Sequence, residues 1–248
     1  MQDKLLRDVN SIDLKSIDAF WEKMLRYCKM RHYDPSYIEA WKSHRYRLFI
    51  TMEWIRSAIS LLNQDAKLSG VETGGISIVT DLLCEFFPNI TWTNTVGDLR
   101  ISWGIPENCI DFIVCTEIVE HLSDLPEGFQ DSFRMTGLKS MLSLAYRTLR
   151  SGGILFITTP NVTSVLNIYR ILCGNPPMAY NLHVREYTLS ELVQQLEELG
   201  FLLVEGETIH CNTIDSEIDY RPIVQFLSEY DFDGNDRGDE IFIVVRKP

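Results

Sequence analysis

Ile110-Asp111-Phe112-Ile113-Val114-Cys115-Thr116-Glu117-Ile118-Val119-Glu120-His121-Leu122 is the stretch on which the reading of this chain turns. Its first half is a nearly continuous apolar run, which suits a strand buried on both faces of a sheet. Its second half becomes polar abruptly, at Thr116, Glu117, Glu120 and His121. In an open α/β sheet, ligands bind just beyond the carboxyl ends of the strands. A buried strand that delivers carboxylates and an imidazole at that end therefore predicts a site there.

Outward from this strand, short apolar runs alternate with helical patterns from residue 66 onward, which predicts a parallel sheet with crossover helices. Residues 68–72 form the expected first strand, 76–87 a helix that stops before Pro88, and 90–96 a threonine-rich second strand. Leu138, Met141, Leu142, Ala145 and Leu149 share one helix face. Leu189, Leu192, Val193, Leu196 and Leu199 share another, opened by Thr188 and Glu191 as a capping box and ended by Gly200. Residues 201–209 and 240–246 predict a closing pair of strands, with an acidic insertion at about 212–238 between them. Its Asp231-Phe232-Asp233-Gly234-Asn235-Asp236 lacks the spacing and terminal glutamate of an EF-hand, and reads as a solvated turn.

Residues 12–63 read as helices. Ile17, Phe20, Trp21, Met24 and Cys28 follow helical spacing, as do Trp41, Leu48, Met52, Ile55, Ile59 and Leu62. Asp34-Pro35-Ser36 breaks the pattern, with Ser36 as the expected N-cap. The division expected is a helical cap over residues 1–65 and a sheet domain over 66–248.

The formal charge of -12 and a pI near 4.9 repel phosphate backbones, which argues against nucleic-acid binding. A basic cluster with Lys42, Arg45 and Arg47 reads as a solvated helix face. None of the six cysteines forms a CxxC pair, and no histidine joins them at metal-ligand spacing, so no metal is expected. Cysteine usage fits a reducing, cytoplasmic compartment. The charged N-terminus predicts no signal peptide, and no apolar run reaches the length of a membrane span.

The opening block resembles the "FDxVxxxEVxEHL" segment of class I S-adenosylmethionine-dependent methyltransferases. Leu149-Arg150-Ser151-Gly152-Gly153, the strand at 154–159 and Pro160-Asn161 are similar to the family's "LKPGGxLxITTPN". The resemblance spans about residues 66–210. It implies a Rossmann-like α/β sheet with helices on both faces, S-adenosylmethionine as cofactor, and methyl transfer to a hydroxyl of a small molecule or sugar.

Carried onto this sequence, the resemblance implies cofactor roles residue by residue. In "(D/E)xGxGxG", Glu72 matches the acid and Gly74 the first glycine; Gly75 follows, and Ile76 stands where the second glycine would be. The end of the second strand carries no ribose-binding acid, and Asn94 is the nearest polar substitute. Gly97-Asp98-Leu99-Arg100 is similar to "(G/Y)DLR", which gives Asp98 the adenine amino group and Leu99 a backbone contact; the alternative is a turn in which Asp98 pairs with Arg100. Thr116, Glu117 and Ile118 line the cofactor cleft. His121 is the favoured general base. His183, in a segment similar to "HVREYT", is the second candidate; the alternative there is a helix-entry turn with Arg185 and Glu186 paired on the surface. Two rivals stand beside this reading: a methyltransferase-like binding or assembly subunit without catalysis, and a nicotinamide-dependent oxidoreductase, which the absence of GxGxxG opposes.

Overall fold

In the computed structural model, residues 14–63, 65–124, 135–211, 218–232 and 234–248 are described. Among the described residues three helices come first: α1 (Leu14–Met30), α2 (Pro35–Lys42) and α3 (Arg45–Ser60). Then follow β1 (Leu68–Glu72), α4 (Ile78–Phe86), β2 (Ile90–Asn94), β3 (Ile110–Thr116), α5 (Thr136–Thr148), β4 (Leu149–Pro160), α6 (Val165–Leu172), α7 (Leu189–Glu198), β5 (Leu202–Ile209), α8 (Arg221–Glu229) and β6 (Glu240–Arg246).

The six strands form one sheet in the order β2-β1-β3-β4-β6-β5. Strands β1 to β4 pair in parallel, and β6 runs antiparallel between β4 and β5. This is the Rossmann-like α/β arrangement that the sequence leads one to expect. The chain goes from β1 to one edge of the sheet and returns to β3 on the other side of β1, so the strand order reverses between β1 and β3. Residues 95–109 form neither helix nor strand.

Period-two alternation explains why the central strands read as continuous apolar runs. Phe112 and Val114, Ile154 and Phe156, and Phe242 and Val244 face one core. Ile113 and Cys115, Leu155 and Ile157, and Ile241 and Ile243 face the other. The first core is completed by α1, α3 and α4, through Met24, Cys28, Met52, Ile55 and Leu82. The second is completed by α5 and α7, through Leu138, Met141, Leu142, Leu192 and Leu196. The N-terminal helices thus share the sheet's own core, and Trp54 stacks tilted on Phe242 with ring centroids 5.4 Å apart.

Several local expectations are revised. Asp34 rather than Ser36 caps α2, accepting from the Ser36 amide at 2.8 Å; Pro35 takes the first helical position, where it needs no amide partner. Thr188 caps α7, but the Glu191 side chain pairs with Arg185 instead of completing the box. The described part of the acidic insertion contains α8. In the proposed turn at 231–236, Asp233 lies outside the described residues. All six cysteines are free thiols, and no described helix is long and apolar enough to cross a membrane.

Candidate active site

A reversal of strand order leaves a crevice beyond the carboxyl ends of the two strands that flank it. Here those ends are Glu72 on β1 and Thr116 on β3. A cavity of about 310 Å³ opens there, lined by Glu72, Gly74, Gly75, Thr116, Glu117 and Ile118 among others. These are six of the eight cofactor residues expected from sequence.

The turn after β1 is built around the Glu72 carboxylate. Ser77 Oγ donates to its Oε1 at 2.7 Å, Asn94 Nδ2 to its Oε2 at 3.0 Å, and Thr80 Oγ1 to the same oxygen. Ser77 also caps α4, so the acid sits at a helix N-terminus, where negative charge is favoured. Asn94, the substitute at the end of β2, is used to hold Glu72. Burial raises the Glu72 pKa despite these three donors. Gly74 has a φ of +93°, and a Cβ on it would lie 3.2 Å from Ile118 Cδ1. A Cβ on Gly75 would meet nothing within 4 Å, so that backbone borders open space. Ile76 lines the cavity but stands at its rim, 81% exposed.

Asp98 and Leu99 lie outside this lining. The Asp98 carboxylate accepts from the Arg100 backbone and from Nε, both at 2.9 Å, and from Nη2 at 2.7 Å. Those bonds hold its pKa down at about 2. Leu99 packs into the second core, and its carbonyl accepts from Trp103 Nε1.

A second cavity, of about 540 Å³, adjoins the first. His121 and His183 line it together with Glu120, Tyr180 and Pro160. The loop bearing His183 is tied to the β3 end by backbone bonds: the Val184 and Arg185 amides donate to the Glu120 carbonyl at 2.8 and 3.2 Å. The two imidazoles meet edge to face, with centroids 4.9 Å apart. His183 Nδ1 lies 2.7 Å from Glu186 Oε1. Glu186 is therefore buried and committed to His183, not paired with Arg185 on the surface.

Arg47 and Glu117 line both cavities. The Arg47 guanidinium pairs with Glu117 and approaches Glu240 Oε2 at 4.0 Å. The expectation of a solvated face fails for this residue, because Arg47 shares with Thr51 and Ile55 the side of α3 that turns toward the sheet. That i, i+4, i+8 spacing was the signal for it. Glu117 has a φ of +54°. Its Oε1 accepts from Thr158 Oγ1 at 2.9 Å. Burial pushes the Glu117 pKa up, but Arg47 and the donors around it bring it below the usual range. Glu240 is fully buried, and desolvation together with the Glu117 charge raises its pKa well above the usual range. Glu120 is likewise desolvated and faces the Glu117 charge, which raises its pKa to about 8. Arg47 thus meets two carboxyl groups, and of the three clustered acids only Glu117 has its pKa held below the ordinary range.

Residues 24–205 match a family model described as a methyltransferase domain. The chain belongs to the methyltransferase-domain family. A SAM-dependent methyltransferase from Archaeoglobus fulgidus is 17% identical, with a TM-score of 0.53, covering 86% of this chain and 100% of that one. A possible histamine N-methyltransferase from Thermotoga maritima is 17% identical, with a TM-score of 0.53, covering 86% and 95%. A loganic acid methyltransferase with SAH is 11% identical, with a TM-score of 0.52, covering 85% and 95%. At such identities the likeness is one of fold. No curated protein matches the chain.

Proposed function

We propose that this protein transfers a methyl group from S-adenosylmethionine to a hydroxyl of a small molecule or sugar. The observation that carries the reading is the pair of adjoining cavities that share Arg47 and Glu117, one at the strand reversal and one lined by two imidazoles.

The residues of the smaller cavity suit the cofactor. Its volume, about 310 Å³, lies at the lower end of the range for small-molecule sites. The bare Gly75 backbone leaves room for close approach. Arg47 and the start of α4 would face a carboxylate tail, and Glu117 a sulfonium charge. When bound, the cofactor supplies an electrophilic methyl group on positively charged sulfur. The chain's own task is chiefly to position the acceptor oxygen in line with it. His121 or His183 would take the hydroxyl proton as the methyl moves. Glu186 holds Nδ1 of His183, leaving Nε2 to accept. Asp98 keeps its proposed role at the adenine, for which it would have to share its oxygens with Arg100.

The second reading is a methyltransferase-like subunit without catalysis. It is favoured by one observation: the charged side chains of the smaller cavity are already engaged, Glu72 by three donors and Arg47 by Glu117. Calorimetry with S-adenosylmethionine and S-adenosylhomocysteine separates the two. One-site binding of both supports the enzyme; no heat from either at millimolar concentration would leave the non-catalytic subunit.

A further inference from the structure

Glu120, His121 and His183 each offer one ligand atom, and the three atoms lie within 4.8 Å of one another. More than proximity marks the cluster. Glu120 is completely shut from water, yet its Oε1 has no hydrogen-bond donor; only Oε2 is served, by Thr159 Oγ1 at 2.7 Å. A buried carboxylate oxygen without a donor is costly unless a positive charge or a proton meets it. That oxygen is 3.8 Å from His121 Nε2, and both residues are on the wall of the larger cavity.

The His183 ring is also prepared. Glu186 Oε1 takes its Nδ1 at 2.7 Å, while Asn167 Nδ2 donates to Glu186 Oε2 at 3.0 Å. A carboxylate on one ring nitrogen fixes the tautomer and aims the other nitrogen's lone pair, as behind metal-binding histidines. The two backbone bonds from Val184 and Arg185 to the Glu120 carbonyl set the spacing of the group through the main chain. Rigid support of this kind is what a binding constellation needs.

We propose that Glu120, His121 and His183 form a site for one divalent first-row cation, of the Mn²⁺, Co²⁺ or Zn²⁺ kind, on the wall of the acceptor cavity. Two imidazoles and one carboxylate favour such ions over Mg²⁺ or Ca²⁺, which prefer oxygen ligands throughout. Three protein ligands leave coordination positions open toward the cavity. The site rests on the methyltransferase reading and narrows it: the acceptor is one whose attacked hydroxyl, or a neighbouring hydroxyl, can coordinate the cation. With the cation in place, both rings are ligands and neither is free to act as the base, so the cation-bound hydroxyl loses its proton to solvent water instead. The oxygen–carbon bond then forms as the sulfur–carbon bond breaks, and sulfur keeps the electron pair.

The test uses the full chain, stripped with a chelator and titrated with Co²⁺ in the absence of methyl donor. Visible absorption and calorimetric heat are both followed. The expected result is one cation per chain, with Glu120→Gln and His183→Ala each weakening affinity at least tenfold. Glu186→Gln should weaken it by about 10- to 100-fold, as loss of an orienting partner does. A variant with Cys84 and Cys173 changed to Ser should bind like wild type, which removes the exposed thiols as the source of signal. If His183→Ala melts early, His121→Ala serves in its place, since that side chain is 43% exposed. No stoichiometric binding by wild type, or unchanged affinity in Glu120→Gln and His121→Ala, overturns the site. Calorimetry with S-adenosylmethionine on the same sample distinguishes the failures: cofactor bound without cation sinks the site alone, and cation bound without cofactor sinks the methyltransferase reading.

Discussion

Arg47 on α3 and Glu117 just beyond β3, far apart in sequence, form an ion pair in the wall shared by the two cavities. The pair joins the N-terminal helices to the strand that carries the site. It also sets the electrostatics of the cluster, because it is what keeps Glu117 ionised beside Glu120 and Glu240. Both side chains are mostly but not fully shielded, 11% and 23% exposed, so removing one partner strands the other charge only in part. Arg47→Ala should therefore cost about 1–3 kcal/mol in urea unfolding. Arg47→Met combined with Glu117→Gln should cost clearly less than the sum of the single changes. Additive losses in that double-mutant cycle would show that the two side chains do not depend on each other.

The two glycines of the β1 turn should behave differently. Gly74 has a φ of +93°, so alanine there meets backbone strain as well as Ile118, and about 1–2 kcal/mol of stability should be lost. Gly75→Ala meets no protein atom and should leave stability within about 0.5 kcal/mol. Its methyl group would point into open space at the cavity, so S-adenosylmethionine affinity should fall while the melting temperature holds. Unaltered affinity in Gly75→Ala would place the cofactor elsewhere.

Glu240 supplies a pH test. Its folded pKa is raised, so the folded state retains a proton that the unfolded state gives up. Its contribution is favourable below the ordinary carboxylate range and is lost as pH rises above that range. Glutamine can still donate to Glu117 and never ionises. The stability advantage of Glu240→Gln over wild type should therefore grow from pH 5 to pH 8, as read by urea midpoints at each pH. An advantage that shrinks with pH would mean that Glu240 is ionised in the fold.

Removing the group that activates the acceptor should cost about a hundredfold to ten-thousandfold in turnover, with little change in cofactor affinity. His121→Ala and His183→Ala are expected to show that split once an acceptor is in hand. His183 should be the more sensitive to stability, since its side chain is only 6% exposed and is braced by Glu186. Turnover near wild type in both variants would leave positioning alone to carry the reaction.

The fold was largely legible, and for a physical reason. A strand buried on both faces loses its polar alternation, so residues 110–116 announce a central parallel strand without help from the rest of the chain. The punctuation of α4 and α7 was similarly local. Most of the lining of the smaller cavity was legible too, because Glu72, the two glycines and residues 116–118 lie at the ends of those recognisable strands. Arg47 was not, since a cation among other cations on a helix reads as solvated unless its face is compared with that of Thr51 and Ile55. Glu240 begins a strand in an ordinary way, and its burial is decided by Arg47 and Glu117 from distant parts of the chain. Glu186 has a different neighbour from the one its sequence suggests: His183, three residues before it, takes the place of Arg185 immediately before it, because the loop is pinned to the Glu120 carbonyl.

The shared core of the N-terminal helices and the sheet bears on how the protein is made. Trp54 rests on Phe242, and Phe242 belongs to β6, near the opposite end of the chain. During synthesis the α3 surface that holds Trp54 must wait, apolar and uncovered, until β6 has left the ribosome and inserted between β4 and β5. Domains generally fold as units as they emerge, and a transiently exposed apolar face is prone to aggregation. The stretch before residue 65 is therefore not a piece that can fold ahead of the rest or be trimmed away. A chain cut there would present Phe112, Phe156 and Phe242 to water, and its expected fate is inclusion bodies.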